Sequence, residues 1–285
     1  MSSGSVSAIP SMAMAEASAQ PVDARHPEWG RVYVLPWDAE IFGFPVGAYQ
    51  PGEATVVRGA LAALGERLRE WALAHRVELV SSVVPADDRL WRALMPALGF
   101  VCVEQTLDLT FRVQAYQAAP PSRPVRLATP DDHSQIEEIA GHTFRHGRYS
   151  ADPRFPLELA DRRYRHWVRS ACASTNPADR VYVVGKPGNV KGFFQLRIVE
   201  DRAEVGIMGV TESAKGSSAA FDLMTGMQLD LKALGIRWLT AKISAGNTRV
   251  VNLVSHFGYR FRNAQATFHW HAPGAPHLLP PGGVS

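Results

Sequence analysis

The chain has 285 residues, of which 46% are hydrophobic and 20% charged, enough apolar mass for one or two buried cores and too much for a disordered tail. Against 27 Asp and Glu stand 30 Lys and Arg, a net charge of +3 that by itself points to neither nucleic acid nor an acidic membrane. Two cysteines, Cys102 and Cys172, are too few for a disulfide framework or a paired-cysteine zinc site, and no apolar run reaches the roughly 20 residues of a membrane helix. Residues 1–20 are rich in Ser and Ala, with no Lys or Arg ahead of an apolar stretch, so they do not read as a signal peptide. A cytoplasmic protein with a loose end over residues 1–27 is expected.

The first block, residues 28–117, carries a long helix marked by Leu61, Leu64, Leu68 and Trp71. Residues 77–100 then give a strand, a turn, a helix with Leu90, Leu94 and Ala97 on one face, and Gly99 at the left-handed cap. An alternating strand follows, with Leu107, Leu109 and Phe111 on one side. Residues 118–124 contain Pro120, Pro121 and Pro124, which suits a linker.

The second block, residues 125–272, opens with a short strand over 125–128. Thr129-Pro130-Asp131-Asp132 is a strong helix start, with Thr as N-cap, Pro at the first helical position and acids in the first turn. An arginine-rich insertion follows, and then three β-rich pieces over 181–184, 190–199 and 203–210, joined by turn residues suited to an antiparallel meander. Residues 236–259 align without a gap on residues 77–100, with Gly258 in register with Gly99, and are again preceded by a long apolar helix and followed by an alternating strand. This favours an internal duplication. Residues 273–285, rich in Pro and Gly, read as a disordered tail.

Several residues carry candidate chemistry. Lys215-Gly216-Ser217-Ser218-Ala219-Ala220 is a small-residue loop opening a helix, where backbone N–H groups and the positive dipole end suit a pyrophosphate; an ordinary helix start is the alternative. The strand before it, with Met208, Gly209 and Val210, holds Gly206 and Gly209 as places for a bulge. The insertion, residues 142–167 and a little beyond, sets Arg145, Arg148, Arg154, Arg162, Arg163, Arg165 and Arg169 among Phe144, Tyr149, Phe155 and Tyr164. That mixture suits a phosphate with a planar base or sugar face, or else a solvated basic helix. His142 with His146 and His269 with His271 have metal-compatible spacings but no evident third ligand, so no metal is expected.

The order strand, helix, three-stranded meander, loop, helix, strand, helix, strand, with the Lys215–Ala220 loop and Asn247, Val250, Leu253, Gly258 and Tyr259 in matching places, resembles the Gcn5-related N-acetyltransferase (GNAT) superfamily. The resemblance implies a mixed α/β GNAT fold, a complete second domain behind a truncated and degenerate first one. It also implies acetyl-CoA as co-substrate, held by Met208, Gly209 and Val210, by residues 215–220, and by Asn247 and Asn252. Val254 stands where many relatives carry a tyrosine that protonates the departing thiolate. With Leu35-Pro36-Trp37-Asp38-Ala39-Glu40-Ile41-Phe42-Gly43, the insertion is similar to the TDP-fucosamine acetyltransferase branch, which implies a nucleotide-linked amino sugar as acceptor and a homodimer. Phe144, Arg145, Arg148, Tyr149, Arg154 and Tyr164 would then contact the substrate. Glu204, His146 and Tyr149 are candidates for the base that deprotonates the amine. The alternatives are a transferase for another small amine, and a non-catalytic acyl-CoA-binding protein.

Overall fold

The structure, a computed structural model, describes residues 19–117 and 120–280. The first half runs β1 (Gln20–Pro21), β2 (Gly30–Val34), α1 (Pro36–Phe42), β3 (Val46–Pro51), α2 (Ala54–Gly59), α3 (Leu61–Ala74), β4 (Leu79–Pro85), α4 (Arg89–Ala97) and β5 (Val101–Arg112). The second runs β6 (Val125–Leu127), α5 (His133–Thr143), α6 (Leu157–Ala173), β7 (Asp179–Lys186), β8 (Asn189–Val199), β9 (Arg202–Val210), α7 (Ala219–Ala233), β10 (Trp238–Ser244), α8 (Thr248–His256) and β11 (Arg260–His271). No helix among the described residues is long and apolar enough to cross a membrane.

The repeat seen in the sequence holds element by element. The bounds of β4, α4 and β5 map onto those of β10, α8 and β11 at one constant offset, Leu79 to Trp238, Ala97 to His256 and Arg112 to His271. The same devices set the ends. Asp88 and Asn247 each cap their helix by accepting from the backbone N–H three residues on, Trp91 at 2.9 Å and Val250 at 3.3 Å. Gly99 and Gly258, at φ 86° and 78°, let the chain leave the helix through the left-handed region.

The described residues form two compact units whose segments interleave along the chain. One comprises residues 19–106, 146–163 and 264–280, the other 107–117, 120–145 and 164–263. Linear boundaries at the proline-rich stretch therefore do not describe them. The reason is the last strand of each repeat: residues 265–271 of β11 pair antiparallel with β4, from Gln265↔Pro85 to His271↔Leu79, and so extend the sheet of the first half.

The expected loose ends are also corrected where they are described; residues 1–18 and 281–285 lie outside the described residues. Gln20 and Pro21 pair with β2, and Asp23 binds Arg25 and Arg67. At the other end Leu278 is buried, Leu279 N–H donates to Arg154 O at 2.8 Å, and His277 meets Glu78.

In the second unit the meander is antiparallel throughout, β6-β7-β8-β9, with β10 added parallel to β9. Alternation along the strands divides the core. Tyr182, Val184, Phe194 and Leu196 face a cluster with Leu223, Met224 and Met227 of α7, whereas Val181, Val183 and Phe193 face Ile136, Ile139 and Ala140 of α5 and Val168 of α6. The helix start at Thr129 is as expected: Asp132, fully buried, accepts from Thr129 N at 2.8 Å and from both Arg126 Nη atoms at 2.6 and 2.8 Å.

Removing that carboxylate, which also accepts from Thr129 Oγ1, would take the acceptor from four donors at the head of α5. Asp132→Ala is expected to cost about 2–3 kcal/mol, and Thr129→Ala about 1 kcal/mol, measured by urea denaturation at neutral pH.

Candidate active site

The ladder between β8 and β9 contains one extra residue. Leu196 faces Val205 and Gln195 faces Ile207, so Gly206 is left without a partner and forms a bulge. The bulge inverts the alternation. Before it Ala203 and Val205 face α7, and after it Met208 and Val210 do, leaving Ile207 toward α5. A Cβ on Gly206 would lie 1.9 Å from Gln195 Oε1, so a larger residue would have to displace that amide from the Trp167 indole it accepts from at 3.3 Å. On the other edge, β9 pairs with β10 only over Arg202↔Trp238, Ala203↔Leu239 and Glu204↔Thr240. Beyond Glu204 the pairing with β10 ends, which leaves a gap in the ladder along that edge of residues 205–210.

The loop after β9 ends at this gap. A short 3-10 turn, Glu212–Ala214, leads to Gly216 at φ 79° and then into α7. Ser217 Oγ accepts from Ala219 N at 3.2 Å and donates to Ala214 O at 2.7 Å, which holds the turn closed. Asp222, buried in the first helical turn, accepts from Ser122 N, Ser122 Oγ and Ser218 Oγ at 2.7, 2.9 and 2.9 Å. Burial pushes its carboxyl up, but these donors more than offset that, so it stays below the usual carboxylate range. Lys215 turns back onto Glu212. The cation against the loop is Arg123, whose Nη1 lies 3.3 Å from Ser217 Oγ. Phe221, partly exposed, meets the ring of His256 at 4.7 Å and adds a planar surface at the head of α7. Neither Arg123 nor Phe221 was marked by a local pattern.

The cofactor-side residues Met208, Gly209, Val210, the 215–220 loop, Asn247 and Asn252 thus all fall in the second unit. Asn247 spends its side-chain oxygen on the helix cap, and Asn252 is exposed on α8. Val254 is buried among core side chains, and Tyr259, also buried, accepts from Gln228 Nε2 at 2.9 Å. No tyrosine hydroxyl stands at position 254.

The acceptor-side residues divide. Phe144 and Tyr164 stack with centroids 4.3 Å apart in the second unit. Phe144 follows directly on the end of α5, where Ile139 and Thr143 close over Gly209, and Tyr164 lies on α6. Arg145 is exposed beside them, and Glu204, also exposed, lies on the β9 face opposite Ala203 and Val205. The remaining candidates, His146, Arg148, Tyr149 and Arg154, belong to the first unit. There the expectation of a phosphate-binding arginine cluster is corrected. Asp38 of α1, buried, takes Tyr149 Oη at 2.7 Å, Arg163 Nε at 2.7 Å and Arg148 Nη2 at 3.2 Å. Arg162 donates to Ile41 O and Arg154 to Leu279 O. In the second unit Arg169 is bidentate to Glu137, and Arg165 meets His142. Burial pushes the Tyr149 hydroxyl up, and it donates to Asp38. His146 is exposed. The third group missing beside His269 and His271 is Asp152, which is 2.7 Å from each.

Burial alone would raise the Asp38 carboxyl, but Arg163 and then Arg148 more than offset it, so its folded value lies below the ordinary one. The stability it contributes is therefore present at neutral pH and is lost as pH falls from about 4 through the folded value. Asp38→Asn, which strands two guanidinium groups, is expected to cost about 3–5 kcal/mol and to flatten the acid limb of a stability–pH curve followed by thermal unfolding.

No protein-family model matches the sequence, and no curated protein matches it. Solved structures do match. A GCN5-related N-acetyltransferase from Sphaerobacter thermophilus superposes with a TM-score of 0.62 at 16% identity, over 86% of this chain and 78% of that one. A GCN5-related N-acetyltransferase from Kribbella flavida gives 0.58 at 13% identity, over 94% and 97%. A tandem GNAT protein from the clavulanic acid biosynthesis pathway gives 0.53 at 14% identity, over 81% and 76%. The likeness is one of fold: the chain has the mixed-sheet α/β GNAT fold, with a complete second copy behind a reduced first one.

Proposed function

We propose that the second unit is an acyl-CoA-dependent N-acyltransferase, with acetyl-CoA as its donor. The observation that carries this reading is the gap beyond Glu204. Strand backbone that loses its neighbour can take another hydrogen-bonding partner, and the pantetheine arm of CoA is a chain of two amides that fits an unpaired strand edge. Residues 205–210 would bind that arm, the N–H groups at the head of α7 with Arg123 and Ser217 would meet the pyrophosphate, and a backbone N–H of β9 would polarise the thioester carbonyl. When bound, the cofactor supplies an acyl group activated as a thioester. The protein's own contribution is to hold a neutral amine against it.

Glu204 is the side chain we assign to taking the ammonium proton, directly or through water, because it is exposed on the α5–α6 face of β9, which also carries Phe144 and Tyr164. Phe144 and Tyr164 offer a stacked surface for the acceptor, with Arg145 beside it. A nucleotide-linked amino sugar is the acceptor we favour, resting now on these three residues alone. A second reading, acyl-CoA binding without turnover, is favoured by Val254, whose burial in the core leaves no hydroxyl to protonate the thiolate.

Calorimetric titration with acetyl-CoA and CoA, followed by thiol release on a panel of free amines and dTDP-amino sugars, separates these readings. Saturable binding is expected, weakened at least about tenfold (~1.4 kcal/mol) by Ser218→Asp, which sets a negative charge at the head of α7. Thiol release is expected with amino-sugar acceptors and is expected to fall in Glu204→Gln. No binding would overturn the proposal; binding without release for any amine would leave the second reading.

A further inference from the structure

We propose that Asp152, His269 and His271 form a binding site for one divalent transition-metal ion of the zinc class, in the first unit and outside the acyl-transfer machinery. His269 and His271 alternate with Trp270 on β11, so both imidazoles stand on one face of the strand. Asp152, from the segment 146–163, reaches them there. Its Oδ2 lies 2.7 Å from His269 Nδ1 and 2.7 Å from His271 Nε2, and the three ligand atoms are all within 4.8 Å of one another. His269 and Asp152 are buried, and the His271 side chain is 5% exposed.

Two imidazole nitrogens and one carboxylate oxygen select zinc and its neighbours over magnesium or calcium, which prefer oxygen alone. Three protein ligands leave a fourth position for water. Around a tetrahedral ion with bonds of about 2.0–2.1 Å, neighbouring ligand atoms stand roughly 3.3 Å apart, so the ion needs the present contacts to open by about half an ångström.

Two further observations support an ion at this point. The first is charge. Among the described residues the ion-pair partners of the buried Asp152 carboxylate are these two imidazoles, and Arg148, whose field reaches His269, is bound to Asp38. A divalent cation would neutralise this buried carboxylate. The second is an outer shell. Asp152 Oδ1 accepts from Arg154 N at 2.9 Å, which fixes the carboxylate. His269 Nε2 is buried without a partner, and so is the Oγ of Ser81, which stands directly across the β4–β11 ladder on the same face. A metal on Nδ1 would place the ring proton on Nε2, the nitrogen that faces away from the ion.

The test uses the full chain, freed of metal by a chelator and titrated with Co2+. The expected result is one saturating equivalent, with the visible bands of a low-symmetry nitrogen-ligated ion, displaced by one equivalent of Zn2+ and accompanied by a rise in Tm. His271→Gln, at the edge of the cluster, and Asp152→Asn are each expected to weaken binding at least about a hundredfold while circular dichroism shows a folded chain. Absence of saturable one-equivalent binding by the folded wild-type protein would overturn the proposal. Equal affinity in a folded His271→Gln would overturn it as well, and neither result bears on acyl-CoA binding.

Discussion

One unpaired glycine in β9 sets the geometry of the second unit. The extra residue at Gly206 turns the strand's alternation over, so that Met208 and Val210 replace the position that Ile207 and Gly209 would otherwise hold toward α7. A bulged strand bends and twists more than its neighbour, and β9 leaves β10 immediately beyond Glu204. The bulge is itself fixed from below. Gln195 occupies the space a Cβ would take, and the Trp167 indole anchors the Gln195 amide. The break in the pairing thus lies beside a bulge that packed side chains hold in place.

Charge in the first unit obeys a different constraint. A buried carboxylate at Asp38 requires cations around it, and the arginines that answer lie 110 and 125 residues away in the sequence. This explains why Arg148 and Arg163, two of the seven arginines in the stretch, point at the protein's own acid. Local composition counts charges of one sign; whether they bind a ligand or the protein's own acid depends on what the fold brings opposite. Trp37, next to Asp38, adds a ring 4.8 Å from the Arg163 guanidinium, so the Trp-Asp pair in α1 serves as a clamp for the insertion.

What was legible in the sequence follows the same division. Features fixed by a few consecutive residues could be read: the Thr129 helix start, the meander turns, the glycines at 99 and 258, and the repeat that aligns β4, α4 and β5 with β10, α8 and β11, while the bulge was narrowed only to Gly206 or Gly209. Features fixed by distant partners could not. Asp152 meets His269 and His271 across 117 and 119 residues, Ser122 meets Asp222 across 100, and Arg123 meets Ser217 across 94. The exchange of final strands was hidden for a related reason: alternation states that a strand has a buried face but not which sheet it joins.

The duplicated halves also show which features belong to the fold and which to a site. Both keep the helix cap, the positive-φ glycine and the closing strand, each of which stabilises whatever chain it is part of. Only one keeps the interruption. In the first half the β2–β3 ladder runs in continuous register from Gly30↔Pro51 to Val34↔Gly47, and β3 pairs with β4 over Val46↔Leu79 to Tyr49↔Ser82, with the Trp71 ring closing tightly on Gly47. Opening a ladder removes hydrogen bonds and exposes backbone, a cost that persists where something else binds those groups. The first half lacks the bulge, pairs β3 with β4 at one position more than β9 with β10, and gathers its unusual polar groups at Asp38 and at the His–Asp–His cluster on the strand it receives from the second half.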